Sequence, residues 1–297
     1  MKKRREGACW CAVSRSQILI AAILLLTGIV ASEGARAAAI TFNTALPVSM
    51  EEIILREQFV ITRSSDRLGG VDRDVTEFTA LSVVGYGVSP KLALFGILPV
   101  TYISREFGNS STDAFGLGDT LLFGRYEACR FDRPGATFRL SPFIGVRVPT
   151  GDRENVGDGS TDLVGGVIAT MATVDFVLDS QFTYTSNNRA DGFERGDVTS
   201  IDTSFQYRFL PQPISAQTKG FFFGVIEIGA RLSDKDRLAG IENMNSGGFQ
   251  VFVTPGLQYA ARRWIADLAV RIPAVNNLNG SALEPDFTVF AGIRINF

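Results

Sequence analysis

The sequence predicts an all-β fold, a transmembrane antiparallel β-barrel of about twelve strands, from three observations. Segments of 12 to 15 residues from Glu51 to the C-terminus carry apolar side chains at every second position, the period of a strand with unlike faces. The breaks between them alternate between short and long, as expected when strands cross a bilayer between tight turns on one side and larger loops on the other. The last segment alternates up to a terminal aromatic, Phe297.

The elements follow in order. Residues 1–37 read as a signal peptide, with a basic cluster Lys2, Lys3, Arg4 and Arg5, an apolar run from Ile18 to Val30, and the small-residue stretch Ala35-Arg36-Ala37-Ala38-Ala39. The run falls short of the roughly 20 apolar residues a spanning helix needs. Cleavage is expected after Ala37, or as late as Ala39. Residues 38–50 precede the first strand and contain Phe42, Leu46, Pro47 and Val48. They are expected either inside the lumen, entered from the periplasm, or as a periplasmic tail. Residues 51–297 form the barrel.

Expected strands span about 51–62, 74–87, 92–106, 115–129, 136–149, 161–173, 174–187, 196–209, 220–234, 248–260, 262–273 and 285–297. In the last, Phe287, Val289, Ala291, Ile293 and Ile295 alternate with Thr288, Phe290, Gly292, Arg294 and Asn296. Such alternation also occurs in soluble sandwiches. Sandwich strands usually run about 5 or 6 residues, however, whereas about 9 to 11 are needed to cross a bilayer at a tilt. Short breaks at Ser89-Pro90, Thr173-Val174 and Ala261-Arg262 set the periplasmic side, and an even strand number returns both termini there. Long polar breaks are expected after the first, third, fifth, seventh, ninth and eleventh strands. Aromatics near segment ends, such as Tyr86, Tyr102, Tyr184, Tyr207, Tyr259 and Trp264, fit girdles at the two interfaces.

Composition narrows the chemistry. The chain has no histidine, which removes Ser-His and Cys-His nucleophile systems and imidazole metal sites. The first 37 residues carry six of the 29 basic and two of the 31 acidic residues, leaving 23 against 29. An acidic exported chain is a poor partner for nucleic acid. Cys129 is the one cysteine outside the signal peptide, so an internal disulfide is excluded. Neither catalysis nor a cofactor is expected. A calcium loop begun at Asp152 fails at Val156 and Leu163, so no metal is expected either.

If the apolar face meets lipid, the other lines the lumen. That places Arg125, Glu127, Arg139, Arg147, Asp175, Asp179, Asp202, Arg208, Glu227, Arg231, Asp267, Arg271 and Arg294 inside. Cross-strand ion pairs are expected among Arg125, Glu127, Arg139 and Arg147, and among Asp267, Arg271 and Arg294. Inward aromatics such as Phe95, Phe143, Phe252 and Phe290 give the lumen an apolar component.

Short motifs complete the reading. Gly116-Leu117-Gly118-Asp119 opens the fourth strand, Pro149-Thr150-Gly151-Asp152 ends the fifth, and Gly157-Asp158-Gly159-Ser160-Thr161-Asp162 leads into the sixth. In this arrangement the sequence resembles the outer-membrane phenol meta-pathway degradation, transporter-like family of β-barrels. The resemblance implies passive uptake of small hydrophobic or aromatic compounds and supplies no catalytic residues. Residue by residue, glycine permits tight turns and aspartate bonds to its own backbone. Expected partners are outer-membrane lipid, a small hydrophobic permeant and the barrel-insertion machinery, to which Phe297 is the assembly signal. The expected location is the outer membrane of a Gram-negative bacterium. The alternative is a structural or adhesive barrel acting through its external loops.

Overall fold

A computed structural model describes residues 37–152, 156–212, 214 and 217–297. The expected signal peptide, Ala37 apart, lies outside the described residues. Twelve strands among them close into an antiparallel barrel: β1 (Ile53–Leu68), β2 (Val71–Ser89), β3 (Leu92–Phe107), β4, β5 (Ala136–Val148), β6 (Asp162–Thr173), β7 (Phe176–Ser186), β8 (Val198–Leu210), β9 (Gly220–Ser233), β10 (Gly248–Ala261), β11 (Trp264–Leu278) and β12 (Phe287–Asn296). Strand β4 descends in three pieces, Ser110–Leu117, Thr120–Tyr126 and Cys129–Arg133. The seam joins β1 to β12 in register from Ile54 opposite Asn296 to Arg63 opposite Phe287. Phe297 extends it, its amide donating to the Ile53 carbonyl at 2.9 Å.

Alternation sets the two faces. Outward positions of β10 to β12 carry Val253, Leu257, Leu268, Val270, Val289 and Ile293, while Thr254, Gln258, Asp267 and Phe290 point inward. Aromatic rings gather at the periplasmic girdle, where Phe222 lies 4.7 Å from Tyr259 and Tyr259 lies 5.1 Å from Trp264. One carboxylate interrupts the lipid-facing band. Glu57 points outward between Leu55 and Phe59 and accepts a hydrogen bond from the Ser82 hydroxyl at 2.9 Å.

Two of the expected long loops are strand instead. The β1–β2 hairpin runs on to a two-residue turn at Gly69-Gly70, with φ of 58° and 87°, the positive values that tight hairpin turns require. Residues 63–73, read as polar loop, form a cross-strand ladder among themselves and with Asp74 at the expected start of the second strand. Arg63 pairs with Asp74 at 2.6 Å, Arg67 with Asp72 at 3.4 Å, and Arg73 with Asp66. The β3–β4 hairpin closes likewise, through Gly108 at φ 59°. Short hairpins in the β7–β8 and β9–β10 loops join into one small sheet, tied by Arg237 to Glu194 at 3.1 Å.

Candidate functional site

The barrel's interior holds its own N-terminal segment. From Ser49 at the periplasmic rim the chain runs back toward Ala37, inside the wall. Arg125 on β4 donates to the carbonyls of Thr44 and Leu46, the latter at 2.6 Å. The Ala45 amide donates to Thr170 Oγ1 on β6 at 2.8 Å, and Thr170 in turn donates to the buried Asp179 on β7. The Asn43 amide meets Gln181 Oε1 at 3.2 Å. The path then reaches Glu227 on β9, whose carboxylate accepts from the Ile40 amide at 2.7 Å, the Thr41 amide at 3.2 Å and the Thr41 hydroxyl at 2.6 Å. Across the lumen, Arg56 and Gln58 of β1 donate to the Ile40 carbonyl at 2.6 and 2.9 Å. Ala38 exchanges two 3.0 Å bonds with Gln258 on β10.

The segment is a shallow arch. It climbs to Glu227, seven residues along β9 from its periplasmic start, and comes down to Gln258, three residues from the periplasmic end of β10. An irregular backbone at this depth needs a partner for each buried amide and carbonyl, and the wall's polar side chains supply them. Apolar contacts do the rest. Ile40, fully buried, packs among Phe223, Val225, Ile265, Ala269 and Phe290. Ala45 and Val48 pack against Phe95, Phe123, Phe143 and Ile168, where Phe95 and Phe123 stack at 4.8 Å. At Gly256 a Cβ would come within 2.8 Å of Ile40 Cδ1, so only glycine lets the wall approach this closely. The void left beside Ala45, Val48 and Arg125 is about 10 Å³, room for one water at most.

The sequence-predicted residues fall into three groups. Arg125, Asp179 and Glu227 engage the segment, Asp179 through Thr170. A second group braces the wall. Arg139 pairs with Glu127 at 2.9 Å and with Asp132 at 2.5 Å near the periplasmic lip. Asp267 pairs with Arg56 at 3.6 Å, and Arg294 faces inward in register with Arg56. Arg147 pairs with Asp162 at 3.2 Å rather than with the Arg125–Arg139 group. Asp202, Arg231 and Arg271 form the third group, above the segment. One placement is corrected. Asp175 does not line the lumen: it lies in the β6–β7 turn with its side chain 63% exposed and accepts from Arg208 at 2.6 Å. The Thr173 hydroxyl closes that turn by accepting from the amides of Asp175 and Phe176, which leaves residue 175 outside the strand.

Sequence reasoning passed over Arg56, Gln58, Thr170, Gln181 and Gln258. Their signal was available: each occupies the inward phase of its strand, where an amide or hydroxyl needs a partner.

The motif residues converge at the β4 break. Asp119 accepts from the Gly151 amide at 2.9 Å and from the Asp158 amide at 3.0 Å, so one carboxylate holds both halves of the β5–β6 loop. The Asp152 amide donates to the Leu117 carbonyl at 2.8 Å. A Cβ on Gly116 would press on Asp152 Cβ at 3.0 Å, and one on Gly151 would meet Asp119 Oδ1 at 2.7 Å. The glycines give the loop its close seat. Burial raises the Asp158 carboxyl above its ordinary range, opposed by the Arg195 guanidinium 2.8 Å away.

This fold is that of outer-membrane barrels. A crystal structure of an outer membrane channel from Pseudomonas putida F1 superposes with a TM-score of 0.61 at 15% identity, covering 86% of this chain and 97% of that one. The β domain of the Bordetella autotransporter BrkA gives 0.46 at 12% identity, covering 82% and 98%. The CymD monoaromatic hydrocarbon channel gives 0.41 at 10%, covering 84% and 89%. No curated protein matches the sequence. Residues 65–271 match the family described as "Putative MetA-pathway of phenol degradation", a span that contains the Asp119 junction and most of the wall around the arch, and the chain belongs to that family.

Proposed function

We propose that the chain is an outer-membrane channel for passive uptake of small hydrophobic or aromatic compounds, closed at rest by residues 38–50. The observation that carries this reading is the lumen: aromatic walls, Phe95, Phe123 and Phe143 on one side and Phe223 and Phe290 on the other, enclose a segment held chiefly by hydrogen bonds, with Phe252 in the layer above it. Aromatic walls suit an apolar permeant. Hydrogen bonds to a lumen strap can be exchanged for water at modest net cost, so the strap is displaceable. Membership of a family described by phenol degradation agrees with such a permeant. Export with loss of residues 1–37, and recognition of Phe297 by the insertion machinery, belong to the same reading. Uptake of labelled toluene, phenol and a sugar by proteoliposomes tests it. Protein-dependent uptake of the two aromatics over the sugar is expected; equal rates with and without protein for all three would sink the reading.

A further inference from the structure

Above the arch, on its extracellular side, the lumen wall carries two guanidinium groups beside two phenyl rings. Arg271 sits one inward position above Ala269, the residue that packs on Ile40. Its guanidinium carbon lies 5.0 Å from the Phe290 ring centre and 5.3 Å from that of Phe252. Its one hydrogen bond among the described residues is long, Nε to Thr254 Oγ1 at 3.5 Å. Arg231, on β9, projects into the same layer. Phe252 lies between the two, its register partners being Gly229 on β9 and Pro273 on β11. Among the described residues Arg231 donates no hydrogen bond and makes no ion pair within 4 Å, unlike Arg56, Arg139, Arg147 and Arg208.

Two carboxylates face this layer, Asp202 and, from the arch side, Glu227, whose oxygens already receive three bonds from the arch. Asp202 lies against the bare backbone of Gly229, where a Cβ would meet its Oδ1 at 2.5 Å. Arg195 and Arg147 also face Arg231, Glu227 is engaged by the arch, and neither Arg231 nor Arg271 has a carboxylate within 4 Å among the described residues, so both keep unused donors toward the lumen. Guanidinium groups bind carboxylates through paired, charge-assisted hydrogen bonds, and phenyl rings at the same level add a stacking surface. A neutral hydrocarbon would use only the rings.

We infer that this layer is a binding site for small aromatic carboxylates, with Arg231 and Arg271 taking the carboxylate and Phe252 flanking the ring. The inference rests on the channel reading and narrows it: anionic aromatics are among the permeants, and they halt here before the arch yields. A fluorine NMR titration of the purified full chain in detergent tests the site apart from transport. The probe is 4-fluorobenzoate, with 4-fluorobenzyl alcohol and fluoroacetate as controls and R231Q/R271Q as the variant. Retained heat-dependent migration on a gel shows that the variant is folded. Protein-induced broadening of 4-fluorobenzoate is expected, saturable and about tenfold weaker in the variant, the loss of a charge-assisted pair. The alcohol should respond equally to both proteins, and fluoroacetate should bind more weakly than the benzoate. Equal benzoate binding by the two proteins overturns the guanidinium assignment, and fluoroacetate binding as well as benzoate overturns the aromatic one. Because binding is read without transport, failed toluene and phenol uptake with intact benzoate binding removes the channel reading and leaves the site.

Discussion

Replacing Glu227 with alanine should open the barrel. Its carboxylate receives three bonds from the arch at 2.7, 3.2 and 2.6 Å, and it is 2% exposed. Hydrogen bonds to a charged group contribute about 1.5–3 kcal/mol each. Water entering the vacated space would satisfy part of the loss, so a net cost of about 3 kcal/mol is a fair reckoning. That shifts the ratio of seated to displaced arch by about two orders of magnitude. Planar-bilayer recordings would read it as a rise in the time spent at the conducting level, toward that of a chain lacking residues 38–50. Glu227→Gln, which keeps an acceptor without the charge, should fall between wild type and alanine. If the deletion conducts well and Glu227→Ala stays as closed as wild type, then Arg125, Arg56, Gln58 and Gln258 hold the arch without Glu227, and the reckoning is wrong. If the deletion conducts no better than wild type, the arch is not what closes the lumen.

Other substitutions probe the wall. Glu57→Leu removes a carboxylate from the lipid-facing band and should stabilise the folded barrel in vesicles by about 1–2 kcal/mol, seen as a higher urea midpoint; a lower midpoint would show that the carboxylate is needed where it is. Arg139→Gln strands Glu127 near the lip and should cost about 3 kcal/mol by the same assay, the low end for breaking a buried pair because water is close. Asp119→Ala frees the amides of Gly151 and Asp158. It should make the β5–β6 loop cleavable by added protease in intact membranes, with Asp119→Asn intermediate; resistance equal to wild type would show that Asp119 is not the anchor.

Much of the wall was legible in the sequence because an inside-outside alternation leaves a period of two in every strand, from Phe287 through Ile295 as clearly as anywhere. The β1–β2 extension was hidden, since Arg63, Asp66, Arg67, Asp72 and Arg73 read as a polar loop until their cross-strand partners are known. The arch's partners were obscured for another reason. Charge alone groups Arg125 with Glu127, Arg139 and Arg147 and leaves Glu227 a lumen-lining acid, yet both bind backbone groups of residues 40–46, and backbone is the same in every sequence. Arg271 illustrates the same limit: it packs against phenyl rings instead of forming the ion pair with Asp267 that a charge pattern suggests, and Asp267 pairs with Arg56.

The arch rises to Glu227 and descends again to Gln258, so both of its described ends lie at one mouth of the barrel. In mechanical terms it is a bight of rope pushed into a pipe, not a rope passed through it. A bight comes out by a pull from the side on which it went in, with nothing to unthread and no strand of the wall to part. Tension on the periplasmic side would therefore meet the anchors in sequence, the two neutral bonds of Gln258 before the three charge-assisted bonds of Glu227.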